Sequence, residues 1–131
     1  MSFTSPTDPI LYSEGGPIFS MIASGNISAG QCLTASPLGT MKAEVTANED
    51  DAFIGVAEYT KTSGNPISVI GRGNIVRCIV KGTSVCAAGD DVFVSGSEGK
   101  ISNTATNTYR RIGVALEPQA TDAGTVRVLL I

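Results

Sequence analysis

The chain has 131 residues, enough for one domain that buries a core without disulfides or metals. Only 16% of the residues are charged, the net charge is −3 and the nine Lys and Arg residues are scattered, which disfavours direct nucleic-acid binding. There is no Trp, and the three Tyr and four Phe residues are too few to favour a surface that stacks bases or sugars.

The first predicted element is an extended N-terminal arm, residues 1–16. Pro6 and Pro9 disfavour a helix there and favour an extended chain. Four apolar side chains of the arm would be unusual in a purely solvated tail: Phe3, Ile10, Leu11 and Tyr12. Two interpretations stay open, an arm that adds as a strand to a partner protein and an ordinary edge strand of the chain's own domain.

The rest of the chain, residues 17–131, predicts a single β domain, and its first unit spans residues 17–72. Short apolar runs alternate there with turns that contain Gly, Asn or Ser, which is typical of a sandwich or barrel. An Ala-Gly turn, Ala29–Gly30, precedes one strand, and an Ile-Gly-Val-Ala segment, Ile54–Ala57, forms another. A glycine inside a strand indicates either a bulge or a second backbone that passes close by.

Residues 73–131 repeat this unit. Gly30 and Gly89 lie 59 residues apart in matching Ala-Gly turns, and Gly55 and Gly113 lie 58 residues apart in matching Ile-Gly-Val-Ala segments. Two separate matches at nearly the same spacing indicate an internal duplication. The sequence therefore predicts an all-β fold, a compact β-barrel or tulip-like domain built from two similar units of about 58 residues.

Metal and thiol chemistry have few candidate residues. The chain contains no His, and its three cysteines, Cys32, Cys78 and Cys86, form no CxxC motif, so the ligand sets of common zinc sites are missing. We expect three buried, reduced thiols, with one disulfide and a spare thiol as the alternative. The sequence shows neither a signal peptide nor an apolar run of roughly 20 residues, so we expect cytoplasmic synthesis and no membrane partner.

No group of residues is arranged for catalysis. A hydrolytic triad most often uses His as its base, and neither GxSxG nor SxxK occurs. The acidic pairs Asp50–Asp51 and Asp90–Asp91, with Glu58 and Glu117, are candidate carboxylates for a glycosidase or a calcium site. Solvated loops and turn exits explain them more simply, so we expect no enzyme activity, no cofactor and no metal.

One short motif suggests a different function. Met41–Lys42 follows an Ala-Gly turn in a duplicated β unit, and biotin carrier domains present their modified lysine from a Met-Lys pair at a hairpin tip. Here Pro37–Gly39 places the turn ahead of the pair, and Thr40 stands where the carrier motif has a small Ala. A carrier protein modified at Lys42 remains an alternative.

The second unit carries a series of motifs in a distinctive order. An Ala-Gly-Asp turn ends at Asp90, a Val-Phe-Val strand follows, and a Gly-Lys-Ile hairpin return ends at Ile101. Arg-Ile-Gly-Val-Ala-Leu-Glu ends at Glu117, and Thr-Val-Arg-Val-Leu-Leu ends at Leu130. These motifs resemble the small Gly/Ala-rich capsid decoration, or head-stabilising, proteins of tailed bacterial and archaeal viruses. The resemblance extends over residues 17–131, more loosely in the first unit.

The resemblance implies a compact β-barrel or tulip-like fold and a structural function without catalysis. Proteins of this kind commonly form homotrimers, bind the major capsid protein at three-fold and quasi-three-fold positions, and stabilise the expanded head. Their place is the outer capsid surface of the virion, which is assembled in the host cytoplasm. The arm is then the candidate capsid-binding segment, by strand addition. Its candidate residues are Phe3, Thr4, Pro6, Ile10, Leu11 and Tyr12.

Three alternatives stay open beside this interpretation. A head-fibre base or a host-glycan-binding virion protein would predict an aromatic-lined patch, which the scarcity of aromatic residues disfavours. A carrier protein modified at Lys42 predicts an added mass on that lysine. A cellular β-barrel scaffold predicts no association with a virus.

Overall fold

The computed structural model describes residues 10–48, 51–81, 86–95, 98–103, 111–118 and 124–131. Every regular element within these ranges is a β-strand, so the predicted all-β fold is confirmed, and none of the described segments is a helix that could cross a membrane. The strands are β1 (Leu11–Ser13), β2 (Ile18–Ala23), β3 (Cys32–Ala35), β4 (Lys42–Val45), β5 (Gly55–Ala57), β6 (Pro66–Ile70), β7 (Ile75–Ile79), β8 (Asp91–Val94), β9 (Ile101–Ser102), β10 (Arg111–Ala115) and β11 (Thr125–Leu130).

The first unit is a closed barrel with the strand order β2-β4-β3-β5-β6. β2 closes it by pairing with β6 on one side and β4 on the other. The β2–β4 pair is parallel, whereas the other pairs are antiparallel. Alternate residues of each strand point inward, and Met21, Leu33, Ala57 and Val69 form the interior.

The second unit is a six-stranded sheet with the order β1-β7-β11-β10-β8-β9. A parallel bridge between Val80 and Ile101 joins the end of β7 to β9, so the sheet curls back on itself as the first barrel does. β1 pairs with the other part of the β7 edge, where Leu11 lies opposite Val76 and Ser13 opposite Ile75.

Apart from β1–β7, each strand pair of the second unit has a counterpart in the first, and the matching pairs share their register up to a shift in β10 between Arg111 and Gly113. Cys32 pairs with Val56 in the first unit, and Asp91 pairs with Val114 in the second. The parallel β2–β4 pair corresponds to the bridge between β7 and β9. Residues at matching positions, here called counterparts, lie 57 to 59 residues apart. The duplication predicted from the glycine spacing is therefore confirmed in the strand pairing.

The glycine of each Ile-Gly-Val-Ala segment lies where another backbone passes close. A Cβ on Gly55 would lie 2.6 Å from the carbonyl oxygen of Ile70. A Cβ on Gly113 would lie 2.2 Å from the carbonyl oxygen of Leu129, the counterpart of Ile70. The same close approach in both units explains why each strand needs glycine at this position.

The two units share a core. Cys32, Val56 and Ile70 of the first unit are 0% exposed and belong to the same buried cluster as the interior of the second. Burying an aliphatic side chain of this size contributes roughly 1.5–3 kcal/mol. The first barrel therefore packs one outer face against the second unit, and the two are not independent modules.

Asn74, at the beginning of the second unit, binds the end of the arm and both ends of the first unit. Its Oδ1 accepts hydrogen bonds from the N–H groups of Gly15 and Gly16, at 2.9 and 3.1 Å. Its Nδ2 donates to the carbonyls of Pro17 and Gly71, at 3.1 and 2.9 Å. The side chain is 0% exposed, so this buried amide is satisfied by four backbone groups.

Candidate functional site

The described acidic side chains do not converge on a reactive centre. Glu58 accepts a 2.8 Å hydrogen bond from Ser68, and Glu117 accepts one of 3.1 Å from Arg127. Asp50 lies outside the described residues. Within the part of the chain that the structure describes, no group of three or more Cys, Asp or Glu side chains could hold a metal ion. Each described carboxylate named here has a local partner, and none faces another across a cleft.

Asp90 stabilises a turn. Its Oδ2 accepts a 2.8 Å hydrogen bond from the Ala87 N–H and one of 3.1 Å from Asn103 Nδ2, and these bonds lower the pKa of Asp90. Its counterpart Gln31 accepts the same bond from the Ser28 N–H, also at 2.8 Å. A neutral amide makes the same hydrogen bond in the first unit, so the role of the Asp90 carboxylate in the turn explains its presence without a catalytic function.

None of the three cysteines forms a disulfide, and all three are buried, as the composition predicts. The hydrogen bond with Cys32, followed by burial, raises the pKa of Cys78 well above its ordinary value. Burial, with the charge of Asp90 as the second cause, raises the pKa of Cys86. A raised pKa keeps the thiols of Cys78 and Cys86 protonated and makes them poor nucleophiles, so these two side chains contribute packing.

The candidate capsid-binding residues fall into two groups. Those outside the described residues are Phe3, Thr4 and Pro6. Leu11 and Tyr12 lie in β1, and Ile10 directly precedes it. Of the two interpretations of the arm, the edge strand applies to residues 10–13, which pair with β7 of the chain's own sheet.

The side chains of this edge strand differ in what they leave accessible. Ile10 is 5% exposed in the shared core, and its carbonyl accepts a 2.9 Å hydrogen bond from the Arg77 N–H. The ring of Tyr12 lies 4.6 Å from the guanidinium carbon of Arg127 and is 40% exposed as a residue. Tyr12 thus keeps a face for a partner, whereas Ile10 is engaged by the chain itself.

Two of the most exposed apolar side chains were missed by sequence reasoning. Leu38 is 75% exposed and Met41 is 57% exposed, both in the turn between β3 and β4. Met41 has a φ of +56°, a left-handed conformation that is uncommon outside glycine. A signal was available, because Pro37-Leu38-Gly39 places a large apolar residue in a turn where polar residues are usual.

The same turn bears on the carrier alternative. Lys42 is the first residue of β4 and follows the turn, so it does not occupy the hairpin tip. Its Cδ would lie 2.9 Å from a Cβ on Gly39, which shows that the lysine stem packs against that glycine. This half-buried placement does not present Lys42 as carrier domains present their modified lysine.

An open groove lies on the outer face of β2 and β6, with Ser20, Ser68 and Tyr59 among its lining residues. The counterparts of the two serines in the second unit are Arg77 and Arg127, which face each other across β7 and β11. Arg77 is buried, and Arg127 contacts Tyr12 and pairs with Glu117, so large side chains with partners of their own stand where the first unit has serines.

Comparison with a family of known proteins gives a match over nearly the whole chain. A family model described as "Phage cement protein" matches residues 13–130. The matched span contains both units, so the match does not rest on one local motif.

Two solved structures share the fold. The N base of head fiber gp8.5 from bacteriophage phi29 is similar with a TM-score of 0.66 and 21% identity, covering 88% of this chain and 93% of that chain. A chain in the capsid of Myoviridae phage XM1 is similar with a TM-score of 0.60 and 10% identity, covering 98% and 96%. A search of the curated proteins for relatives in sequence found no match.

Proposed function

This chain belongs to the phage cement protein family, a family of structural proteins of the capsid surface, and from that premise we propose that it stabilises the expanded phage head without catalysis. Its direct partner in this proposal is the major capsid protein, bound from outside. The observation that carries the proposal is the family match over residues 13–130.

The shape of the chain suits this function, because cementing requires contact area and rigidity. The two units share a buried core and are tied together by Asn74, so they form one preformed body. A preformed body loses little conformational entropy when it binds. The turn at Asp90 and the buried thiols need no substrate to explain them.

We propose further that the protein acts as a homotrimer at three-fold and quasi-three-fold positions. When three identical contacts form around one axis, the first raises the effective concentration for the other two. Contacts that are weak one by one then hold the protein on the shell. This supports the proposal for a chain whose sequence shows no concentrated binding motif.

The segment that precedes β1 is the proposed capsid-binding segment, with Phe3, Thr4 and Pro6, added as a strand to the capsid subunit. In this proposal Ile10 and Leu11 anchor the segment, since both pack against the shared core. The exposed face of Tyr12 extends the contact surface from that anchor.

The experiment uses expanded heads that lack the protein. The full chain should bind them saturably and raise the temperature at which they release DNA. A variant without residues 2–9 keeps β1 and should bind about tenfold more weakly, because the contact repeats around the axis. Tyr59→Ser, which removes another exposed aromatic ring, is the control and should bind as the full chain does.

The outcomes separate the two parts of the proposal. Heads that fail to bind the full chain contradict the cementing function. Heads that bind the shortened variant as tightly as the full chain contradict only the contribution of the segment.

A head-fibre base is the second candidate, favoured by the likeness in fold to the N base of the phi29 head fiber. Both candidates attach to the head, and they differ in whether the chain carries a further virion protein. Mass spectrometry of particles with and without this chain distinguishes them. If the chain is a fibre base, particles that lack it should also lack a second virion protein.

A further inference from the structure

The contact between the two units within the chain is head to tail. Gly30 of the first unit lies on the edge of β7, where its carbonyl accepts a 3.4 Å hydrogen bond from the Ile79 N–H. Its counterpart Gly89 has nearly the same φ, +90° against +89°. A Cβ on Gly30 would lie 3.3 Å from Ile79 Cγ1, whereas one on Gly89 would meet no atom of the described residues within 4 Å. The same turn is buried in one unit and open in the other.

The other side of this contact is the tip of the β8–β9 hairpin. The carbonyl of Gly99 accepts a 2.8 Å hydrogen bond from the Cys32 N–H, and its N–H donates to the Thr46 carbonyl at 2.9 Å. The segment Gly30–Cys32 therefore lies between β7 and the Gly99 tip. It fills a gap in the second unit that strand pairing does not close.

The chain itself closes the matching gap in the first unit. Met41 is the counterpart of Gly99 and has a similar φ, +56° against +63°. Its carbonyl accepts a 2.9 Å hydrogen bond from the Ile22 N–H, and Ile22 is the counterpart of Ile79. This gap ends in the exposed apolar tip that contains Leu38.

Each chain thus has two surfaces that match the two sides of this internal contact but are not themselves in contact with their counterpart. The second unit presents the open turn Gly89–Asp91, and the first unit presents the tip Leu38–Met41 beside the end of β2. Inside the chain, the counterpart of the turn, Gly30–Cys32, already contacts Gly99, the counterpart of Met41. Lys42 beside the tip and Asp90 in the turn have opposite charges, whereas Asp91 is already paired with Arg111 at 3.2 Å.

We propose that the turn Gly89–Asp91 of one copy docks between β2 and the hairpin tip of a second copy of this chain. The Ile22–Met41 hydrogen bond then gives way to two bonds across the interface. Ile22 N–H donates to the Gly89 carbonyl, and Asp91 N–H donates to the Met41 carbonyl. The tip is buried in the contact. The proposal rests on the homotrimer proposed above and identifies its interface.

A contact with a different surface on each partner closes into a ring when its rotation permits and otherwise grows into a filament. In a trimer, the contacts inside the three chains would alternate with the contacts between them. In a closed trimer every Gly89–Asp91 turn is docked on a Leu38–Met41 tip, so the assembly stops at three chains, as expected for a cement protein that occupies defined positions on the shell.

Cysteine cross-linking tests the interface. Within the chain, a Cβ on Gly99 would lie 2.6 Å from the Cβ of Gln31, and the counterparts of this pair are Met41 and Asp90. Met41→Cys and Asp90→Cys chains, mixed and mildly oxidised, should form covalent dimers, whereas neither variant alone should. A chain with both substitutions should give covalent trimers. The native thiols are buried, and Cys86, which lies near Asp90, is replaced by Ala in every chain so that it cannot pair with the introduced cysteine.

A surface substitution gives an independent reading by sedimentation. Leu38→Glu should shift the monomer–trimer equilibrium roughly tenfold or more towards monomer, because a charge enters the buried tip. The matched control is Leu116→Glu: Leu116 is 44% exposed and its counterpart is Glu58, so the change should stay within about twofold. Circular dichroism checks that both variants are folded.

Both experiments are run on the free protein and on protein bound to heads. If sedimentation shows trimers but the introduced cysteines do not cross-link, this interface is wrong and the homotrimer proposal is unaffected. Binding to heads as a monomer overturns the interface and the trimer together. Cross-linked trimers that do not bind heads support the interface and overturn the cementing function.

Discussion

The two units have the same strand pairs and different outer surfaces. Where the first unit packs on the second, it presents Cys32 and Phe53 to the shared core. At the counterpart positions the second unit has Asp91 and Arg111, which form a 3.2 Å ion pair with side chains 53% and 46% exposed. Cys32 and Asp91 keep the same strand partner, Val56 and Val114 respectively, although Arg111 pairs with Phe93 across a register shift while Phe53 lies before β5. The inward residues and the glycines therefore specify the barrel. The outward residues differ according to whether another part of the same chain covers that face.

The largest expected effect breaks the link between the units. Asn74→Ala removes four hydrogen bonds, three of them partly buried and the one to the Gly71 carbonyl buried; at about 1 kcal/mol for each bond, we expect a loss of roughly 4 kcal/mol in the free energy of unfolding. Urea denaturation measures it. Asn65→Ala, in an exposed turn, is the control and should cost less than about 1 kcal/mol. Equal losses would show that the units hold together without this amide.

The second prediction tests whether the units bend in the same way. Gly55→Ala and Gly113→Ala each push a Cβ against a backbone carbonyl, at 2.6 and 2.2 Å, so both should lose roughly 2–3 kcal/mol of stability. Gly64→Ala is the control, because it has a φ of +88° and open space, and it should lose about 1 kcal/mol. Thermal or urea unfolding compares them. If one strand glycine proved no more costly than the control, the units would not share this feature.

Parts of this architecture were predictable because they repeat. The spacing of Gly30 and Gly89 predicted the duplication, and the glycines inside strands predicted the close backbone approach, since both follow from local backbone geometry. What a segment pairs with leaves no such local pattern. Pro6 and Pro9 indicated extended chain at the N-terminus, but they could not show that Ile10 enters the shared core.

The candidate interface was hidden for a related reason. Gly89 and Gly30 have the same residue type and nearly the same φ, and only their surroundings differ. The hairpin tip was visible as a large apolar residue, Leu38, in a turn. Only the structure indicated what this tip could bind, because Gly99, the counterpart of Met41, contacts the other unit.

The third prediction concerns Cys78, a titratable side chain at a position where the first unit has Met21. The folded state raises the pKa of Cys78, whose counterpart is the non-titrating Met21. A raised folded-state pKa gives stability that is complete below the unfolded thiol pKa of about 8.5 and is lost as the pH rises towards the folded value. We expect the free energy of unfolding to fall above about pH 8.5, by up to about 1.4 kcal/mol per pH unit for each such thiol.

Cys78→Ala separates this effect from the rest of the alkaline response. The variant should be less stable at pH 7, because it leaves a small cavity, but its stability should fall less steeply between pH 8.5 and 10. Cys86→Ala measures how much the other thiol with a raised pKa contributes to the loss of stability at alkaline pH. An alkaline slope that is the same with and without Cys78 would contradict the prediction.

The smallest expected effect concerns the ion pair at the surface of the second unit. Both side chains are about half exposed, so Asp91→Ala should change the free energy of unfolding by less than about 0.5 kcal/mol, and the change should shrink in high salt. Cys32→Asp places the same side chain at the counterpart position, which is 0% exposed, and should lose roughly 3 kcal/mol or more. Urea denaturation of the two variants compares identical chemistry in identical strand register. A loss above about 1 kcal/mol for Asp91→Ala would mean that this face is structurally engaged within the single chain, and the contrast between a covered and an open face would fail.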